Sequence, residues 1–375
     1  MKKVLEVIYG FGYGGIRSFI MNYLNYLDKK EFQVDIYVFG WSDSPFTKQV
    51  EEMGARIFFE PENISNTHIP RFVGKLEEFM KENGPYDVCH ANCNLISAWV
   101  LLAAKRAGIP IRLSHSHSTN HFEGSFAQRM YSHLRLCVIN RVATAKLACG
   151  QLAGETMYGK NAHFLVVTNG INLDRFANRN EERIADLRKQ FNILKGAKVY
   201  TNITRMDPPK NHIFAVEVFN EIHKLDPTAI FIYGGVTPKI SSTVDVVKAR
   251  IEELGLQEYT RYTGPLMDIE QVYHMSDLWI YCSAYEGLPF GPIELQAASV
   301  PCLASDVITK EIDLGLGLVK FLSLDASYTE WAKVAVETVK PAIDQKTIEE
   351  AFNKYNFNIK MNVKILESIY KGELR

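Results

Sequence analysis

Short apolar runs, each closed by turn residues, alternate with longer amphipathic stretches along nearly all of this 375-residue chain, and few architectures absorb such a pattern. Runs that are apolar throughout must be covered on both faces, which places them in parallel sheets sandwiched between helices. In the first half, strands are expected near 3–9, 33–39, 56–59, 87–90, 111–115, 145–149 and 164–167. Helices fall between them near 15–28, 45–53, 70–82, 94–107, 125–141 and 150–157. The right-handed crossover rule folds each unit back onto one sheet. Around 170–195 the alternation gives way to Thr168-Asn169-Gly170 and a polar, charged stretch through Asn180 and Arg188, read here as the connection between two domains. A second series follows, with strands near 198–203, 229–234, 260–263, 278–282 and 301–304. Its helices are expected near 211–224, 242–255, 268–275, 291–299 and 328–338. In the tail, Ile359, Val363, Ile365, Leu366, Ile369 and Tyr370 recur at helical spacing, so residues 357–371 should dock one face. A chain of this length exceeds one hydrophobic core. Two doubly wound α/β domains are therefore expected, with ligand sites at their strand carboxyl ends along a shared cleft.

Composition narrows the function. Apolar residues make up 47% and charged residues 23%, and a net charge of -1 offers no electrostatic footprint for nucleic acid. The six cysteines, Cys89, Cys93, Cys137, Cys149, Cys282 and Cys302, are scattered through apolar runs, as suits reduced thiols in a cytoplasmic protein. Cys89-His90-x-x-Cys93 has the look of a metal motif, but no second Cys/His pair answers it, and no metal site is expected. The opening run Met1–Tyr9 carries Glu6 within its apolar residues and lacks a cleavage site, so it reads as a strand and not a signal peptide. No apolar stretch reaches the ~18 residues of a spanning helix, which leaves surface attachment to a membrane open.

Two segments carry the chemistry. In Cys282-Ser283-Ala284-Tyr285-Glu286-Gly287-Leu288-Pro289-Phe290-Gly291-Pro292-Ile293-Glu294, a strand leads into a helix whose first turn suits Pro292. Residues 287–291 then form a loop whose backbone N–H groups and helix dipole favour a phosphate. Glu286 and Glu294 add two carboxylates beside it, as a sugar nucleotide requires; the plainer reading has Glu294 complementing the dipole and Glu286 solvated. The second segment, Thr204-Arg205-Met206-Asp207-Pro208-Pro209-Lys210-Asn211-His212, follows a strand and brackets a proline-stiffened loop with Arg205 and Lys210, which can converge on a diphosphate. Each such charge-assisted hydrogen bond contributes on the order of 1.5–3 kcal/mol and strengthens as charge gathers on a leaving group. The plainer alternative is a solvated loop in which Asp207 pairs one of them.

The first half offers Gly10-Phe11-Gly12-Tyr13-Gly14-Gly15 between strand and helix, a pattern that by itself also fits a tight turn. A dinucleotide reading needs an acidic residue ending the second strand, where Phe39-Gly40-Trp41 stands instead. Three histidines, His90, His115 and His117, fall at adjacent strand ends, with no obvious carboxylate near His117. Residues 122–141 mix aromatic and basic side chains, read as amphipathic packing with a solvated basic face in preference to a membrane face.

In order along the chain, Asn169-Gly170-Ile171-Asn172, then Arg205 and Lys210, then Glu286 and Glu294 in an E-x7-E arrangement resemble the retaining GT-B glycosyltransferases of glycosyltransferase family four, especially bacterial capsule and exopolysaccharide enzymes. The likeness covers nearly the whole chain. It implies two Rossmann-like domains: residues 1–170 on the acceptor side, 171–356 on the donor side, and a helix over 357–375 crossing back to the first. It also implies a metal-independent hexosyltransferase without a cofactor, whose substrate is a UDP- or GDP-linked sugar and whose acceptor is a glycan or lipid-linked molecule. By that resemblance Arg205 and Lys210 bind the donor diphosphate, Glu294 the ribose, and Glu286 the transferred sugar. Gly287 and Leu288 join through their backbone, Leu266 packs near the base, Gly14 and Gly15 reach the donor phosphates, and His117 stands beside the donor sugar. Tyr233-Gly234-Gly235-Val236 departs from relatives that have a small residue before two glycines, which bears on the base pocket. Retention can run through a covalent carboxylate intermediate or through same-face attack in which the leaving phosphate takes the acceptor proton. The resemblance further implies a cytoplasmic enzyme, at the inner face of the membrane where its acceptor is lipid-linked. Competing readings are a non-hydrolysing sugar-nucleotide epimerase, a nucleotide-sugar binding protein without turnover and, more distantly, an NAD-dependent enzyme.

Overall fold

The computed structural model describes residues 1–374 apart from 13, 63–67, 119–123, 237–241, 267 and 287. It divides into two compact units, residues 1–171 with 356–375, and residues 172–355.

The first unit is built on a seven-stranded sheet, ordered β3-β2-β1-β4-β5-β6-β7 and parallel throughout. Its strands are β1 (Lys2–Tyr9), β2 (Phe32–Phe39), β3 (Arg56–Glu60), β4 (Val88–Ala91), β5 (Ile111–Ser116), β6 (Ala145–Ala148) and β7 (Leu165–Val166). All seven lie where the apolar runs predict them. Burial on both faces explains why: Leu5 and Val7 join one core with Val100 and Leu101, while Val4 and Ile8 join the other with Phe19 and Ile20. The tail forms the helix Ile359–Lys371, which buries Ile359, Val363, Leu366, Ile369 and Tyr370 in that second core. Gly170 lets it come close, since a Cβ there would stand 2.8 Å from the Ile359 Cα, and Ile171 N–H donates to the Phe357 carbonyl at 2.7 Å.

The second unit has a six-stranded parallel sheet, ordered β10-β9-β8-β11-β12-β13. Its strands are β8 (Val199–Ile203), β9 (Ile230–Gly234), β10 (Thr260–Tyr262), β11 (Leu278–Tyr281), β12 (Cys302–Ser305) and β13 (Val319–Leu322). Both sheets have the doubly wound order in which the chain reverses its direction of winding beside the first strand. At the end of β9, Gly234 and Gly235 have φ of 145° and 124°, and a Cβ on Gly235 would stand 2.0 Å from the Thr204 carbonyl oxygen. Glycine is required there because the β9 end presses against the loop after β8.

Three features depart from the expected pattern. The stretch 170–195 is not a bare connection: it carries the helices Leu173–Ala177 and Glu181–Gln190, which belong to the second unit. Asn172 and Asn180 cap them, accepting from the backbone N–H groups of Arg175 and Arg183. The strand β13 and the helix Gln345–Lys354 are additional elements.

Candidate active site

In the second unit the loops after β8 and β11 lie side by side, because these strands are neighbours in the sheet. Ala284 N–H donates to the Pro209 carbonyl at 2.8 Å, and the Cys282 thiol approaches the Asn211 carbonyl at 3.2 Å, tying the two loops together. Lys210 ends the 3-10 turn Pro208–Lys210, and Asn211, at φ 54°, turns the chain into the helix His212–Leu225. As a result Lys210 Nζ makes an ion pair with Glu286 Oε1, which also accepts from the Tyr281 hydroxyl at 2.7 Å. The side chains of Lys210 and Glu286 are 14% and 12% exposed. A pair this enclosed gives little net stability. It does hold a cation and a carboxylate ready at the strand ends. The loop is pinned from beneath by His212, whose Nε2 lies 3.1 Å from Thr204 Oγ1.

Arg205 does not join Lys210: it pairs with Asp207 at 2.6 Å and its side chain is half exposed. That is the plainer of the two readings of this loop. The helix after β11 begins at Phe290, so Glu294 lies in its second turn and not its first. Glu294 accepts from the Tyr273 hydroxyl at 2.9 Å, and the Tyr273 ring stacks on Phe176. Burial and the adjacent Glu294 carboxylate push the Tyr273 phenol well above its usual pKa, so it stays a donor. Leu288 is half-buried in the loop before that helix, and Leu266 is half-buried after β10. Gly287 lies outside the described residues.

In the first unit the glycine loop resolves into two parts. Gly10 and Gly12 make room for the Trp41 indole, since a Cβ on either would stand 2.5 Å from a ring atom. Gly14 caps the helix Gly15–Tyr26 and has nothing within 4 Å of where its Cβ would stand, so Gly14 and Gly15 present an open helix N-terminus. That helix sends Phe19 into edge contact with the rings of His115 and His117, at 5.0 and 5.3 Å between centroids.

The three histidines do converge. His90 Nε2 lies 3.0 Å from His115 Nδ1, and the His115 and His117 rings are 4.0 Å apart. A carboxylate is close after all: Glu6, 4% exposed, lies 3.1 Å from His90 Nδ1 and accepts from the Tyr370 hydroxyl at 2.5 Å and from Asn92 Nδ2 at 2.6 Å. Asn92 Oδ1 in turn lies 2.8 Å from His117 Nε2. Glu6, Asn92 and Tyr370 in the first unit, and Tyr273 and Tyr281 in the second, hold candidate residues and are not marked by the motifs. The one local signal among them is Glu6, a charge in the middle of an apolar strand.

The His115 and His117 rings resist protonation. Burial, with smaller contributions from neighbouring histidines, holds His115 well below the ordinary histidine pKa and His117 down at about 3. Burial likewise brings His212 to about 4. A folded-state pKa below the unfolded value of about 6.5 means the unfolded chain binds more protons. The stability these groups confer is therefore complete above about pH 6.5 and is lost as pH falls toward 3–4, at up to about 1.4 kcal/mol per pH unit for each ring. Denaturant midpoints should drop between pH 7 and pH 5; an unchanged midpoint would mean that the rings protonate freely in the folded state.

Residues 13–175 match the family described as Glycosyltransferase Family 4, and residues 183–311 match Glycosyl transferases group 1. A protein of Bacillus subtilis (strain 168), named as glycosyltransferase EpsF, is 28% identical over 380 residues, spanning 98% of this chain and 96% of its own length. The UDP-Gal:alpha-D-GlcNAc-diphosphoundecaprenol alpha-1,3-galactosyltransferase of Escherichia coli is 22% identical, spanning 90% of this chain and 89% of its own. Among solved structures, Anabaena Alr3699/HepE in complex with UDP and glucose superposes with a TM-score of 0.79 at 17% identity, covering 99% of this chain and all of that one.

Proposed function

This chain being a GT-B glycosyltransferase of family four, we propose that it moves a hexose from a nucleoside-diphosphate sugar to a glycan or lipid-linked acceptor with retention of configuration, in polysaccharide synthesis. The observation that carries this reading is the enclosed Lys210–Glu286 pair where the β8 and β11 loops meet. A diphosphate drawn to Lys210 releases Glu286 from its ion pair, and the carboxylate is then held by Tyr281 for a sugar hydroxyl. Arg205 follows when the diphosphate outbids Asp207, an exposed pair of small net worth. Two cations on the leaving group supply the charge stabilisation for which other transferases use a metal, so activity should withstand EDTA. The leaving phosphate takes the acceptor proton in a same-face displacement. His117, held neutral, serves as a hydrogen-bonding group for the donor sugar and not as the base.

Thermal unfolding against UDP, GDP and NAD tests the donor assignment, because a ligand at about 100 times its Kd stabilises the fold by roughly 2.7 kcal/mol. Stabilisation by UDP or GDP, with nucleoside diphosphate released only when acceptor is present, is the expected result. Stabilisation by NAD alone, or turnover without acceptor, would return the chain to the dehydrogenase or epimerase reading.

A lipid-linked acceptor gives the helix Phe126–Val142 a purpose. This helix packs one face inward through Ile139 and Val142, as expected, but its Phe126, Met130 and Leu134, four residues apart, are 74%, 55% and 54% exposed. The helix holds Arg129, Arg135 and Arg141 and not one acidic residue. Arg135 is half-buried over the Tyr131 ring, but exposed apolar side chains together with the exposed Arg129 and Arg141 fit an anionic lipid surface, on which such a helix lies flat. No helix among the described residues is long and apolar enough to cross a membrane. The protein should float with vesicles containing anionic lipid and release when Phe126, Met130 and Leu134 become serine. Equal recovery with purely zwitterionic vesicles, or no release, would refute this.

A further inference from the structure

Glu6 is the one ionisable residue in the interior of β1, and every contact it makes leads toward the histidines at the strand ends. Its Oε2 accepts from Asn92 Nδ2 at 2.6 Å, which fixes the Asn92 amide: turned over, the amide oxygen would face the carboxylate. Asn92 Oδ1 must then face His117 Nε2, 2.8 Å away, and an amide oxygen only accepts. His117 is thus held as the Nε2–H tautomer, with Nδ1 bearing the lone pair. Its backbone is fixed too, His117 N–H donating to Asn94 Oδ1 at 2.8 Å. On the other side, Glu6 Oε1 accepts from the Tyr370 hydroxyl at 2.5 Å, with His90 Nδ1 at 3.1 Å. Glu6, Asn92 and Tyr370 are each at most 4% exposed, so water does not compete for these bonds.

We propose that Glu6 and Asn92 are positioning residues that hold His117 as a hydrogen-bond acceptor, so that its Nδ1 receives an O–H of the donor sugar, and that Tyr370 of the tail helix completes the clamp on Glu6. The proposal rests on the reading of His117 as a donor-sugar contact. Its consequence is selectivity for a sugar with a hydroxyl at that point, because a buried acceptor left unpaired disfavours an analogue without one.

The test exchanges the two partners. Asn92→Asp alone sets two carboxylates against each other. Glu6→Gln combined with Asn92→Asp restores every bond in reverse. The amide nitrogen introduced in place of the Glu6 carboxylate donates to the carboxylate introduced in place of the Asn92 amide. The new amide oxygen accepts from Tyr370, and the new carboxylate still accepts from His117 Nε2–H. The expected result is a roughly tenfold loss of kcat/KM for the nucleotide sugar in Asn92→Asp, as befits one hydrogen bond. UDP affinity should be unchanged, and most of the loss should be recovered in the double variant. Nitrogen-15 NMR of the histidine rings should show His117 protonated at Nε2 in the wild type and the double variant. A double variant as poor as Asn92→Asp, or a wild-type His117 protonated at Nδ1, would overturn the positioning role. If instead His117→Ala keeps full kcat/KM while the NMR tautomer stands as described, the donor-contact reading fails and the tautomer clamp survives it.

Discussion

Lys210→Ala is expected to lower turnover about 10²–10³-fold, the loss found when one donor to a developing oxyanion is removed from a preorganised site. The side chain is largely enclosed, so little water is available to replace it. Its effect should fall on kcat more than on donor affinity, because the negative charge it faces grows as the glycosidic bond breaks. The fold should weaken as well, because the variant leaves the enclosed Glu286 carboxylate without its cation, a loss that reaches about 3–5 kcal/mol in a fully buried pair and is reduced here by the Tyr281 hydroxyl that Glu286 keeps as a partner. Steady-state kinetics with a saturating acceptor, alongside a thermal melt, separate these outcomes. A wild-type kcat in a folded variant would take Lys210 out of the reaction, and with it the observation on which the donor assignment rests. Lys210→Arg is informative as well: the longer, planar guanidinium preserves charge but not position, and partial activity would show how closely the ammonium must sit.

The sheets were readable from sequence because strands buried on both faces are written mostly in apolar residues. Elements with one wet face left a fainter trace. β13 has Lys320 exposed in its middle, and the helix Glu181–Gln190 buries only Ile184 and Leu187 among ten residues, so its clearest mark is the cap Asn180. At the site, residue types and spacing pointed to Lys210, Glu286 and Glu294 but not to what holds them. Lys210 and Glu286 are 76 residues apart, and Glu6 and Tyr370 are 364 apart. Such partners are made by strand order and by the docking of the tail helix, which no local pattern encodes. Arg205 is a different case: its place in the loop suggests a phosphate ligand, and two residues on, Asp207 supplies the partner that it takes in this structure.

Glu294 gives the sharpest separation of binding from chemistry. Glu294→Gln should weaken nucleoside diphosphate binding about 10–100-fold, since a carboxylate receiving hydroxyls makes charge-assisted hydrogen bonds of on the order of 1.5–3 kcal/mol, part of which an amide forfeits. Glutamine is a better probe than alanine. The Tyr273 hydroxyl donates to Glu294, and alanine would leave that buried phenol without this acceptor, at a cost of about 1–3 kcal/mol to the fold. Glutamine still accepts, so its melting temperature should stay near that of the wild type. Turnover at saturating donor should change little, because ribose contacts are the same before and during transfer. Titration with UDP and with 2′-deoxy-UDP completes the case. The wild type should prefer UDP, and Glu294→Gln should lose most of that preference because the hydroxyls no longer meet a charge. If the variant binds UDP as tightly as the wild type, Glu294 serves only as the acceptor for Tyr273, and the ribose must be held elsewhere in the donor unit.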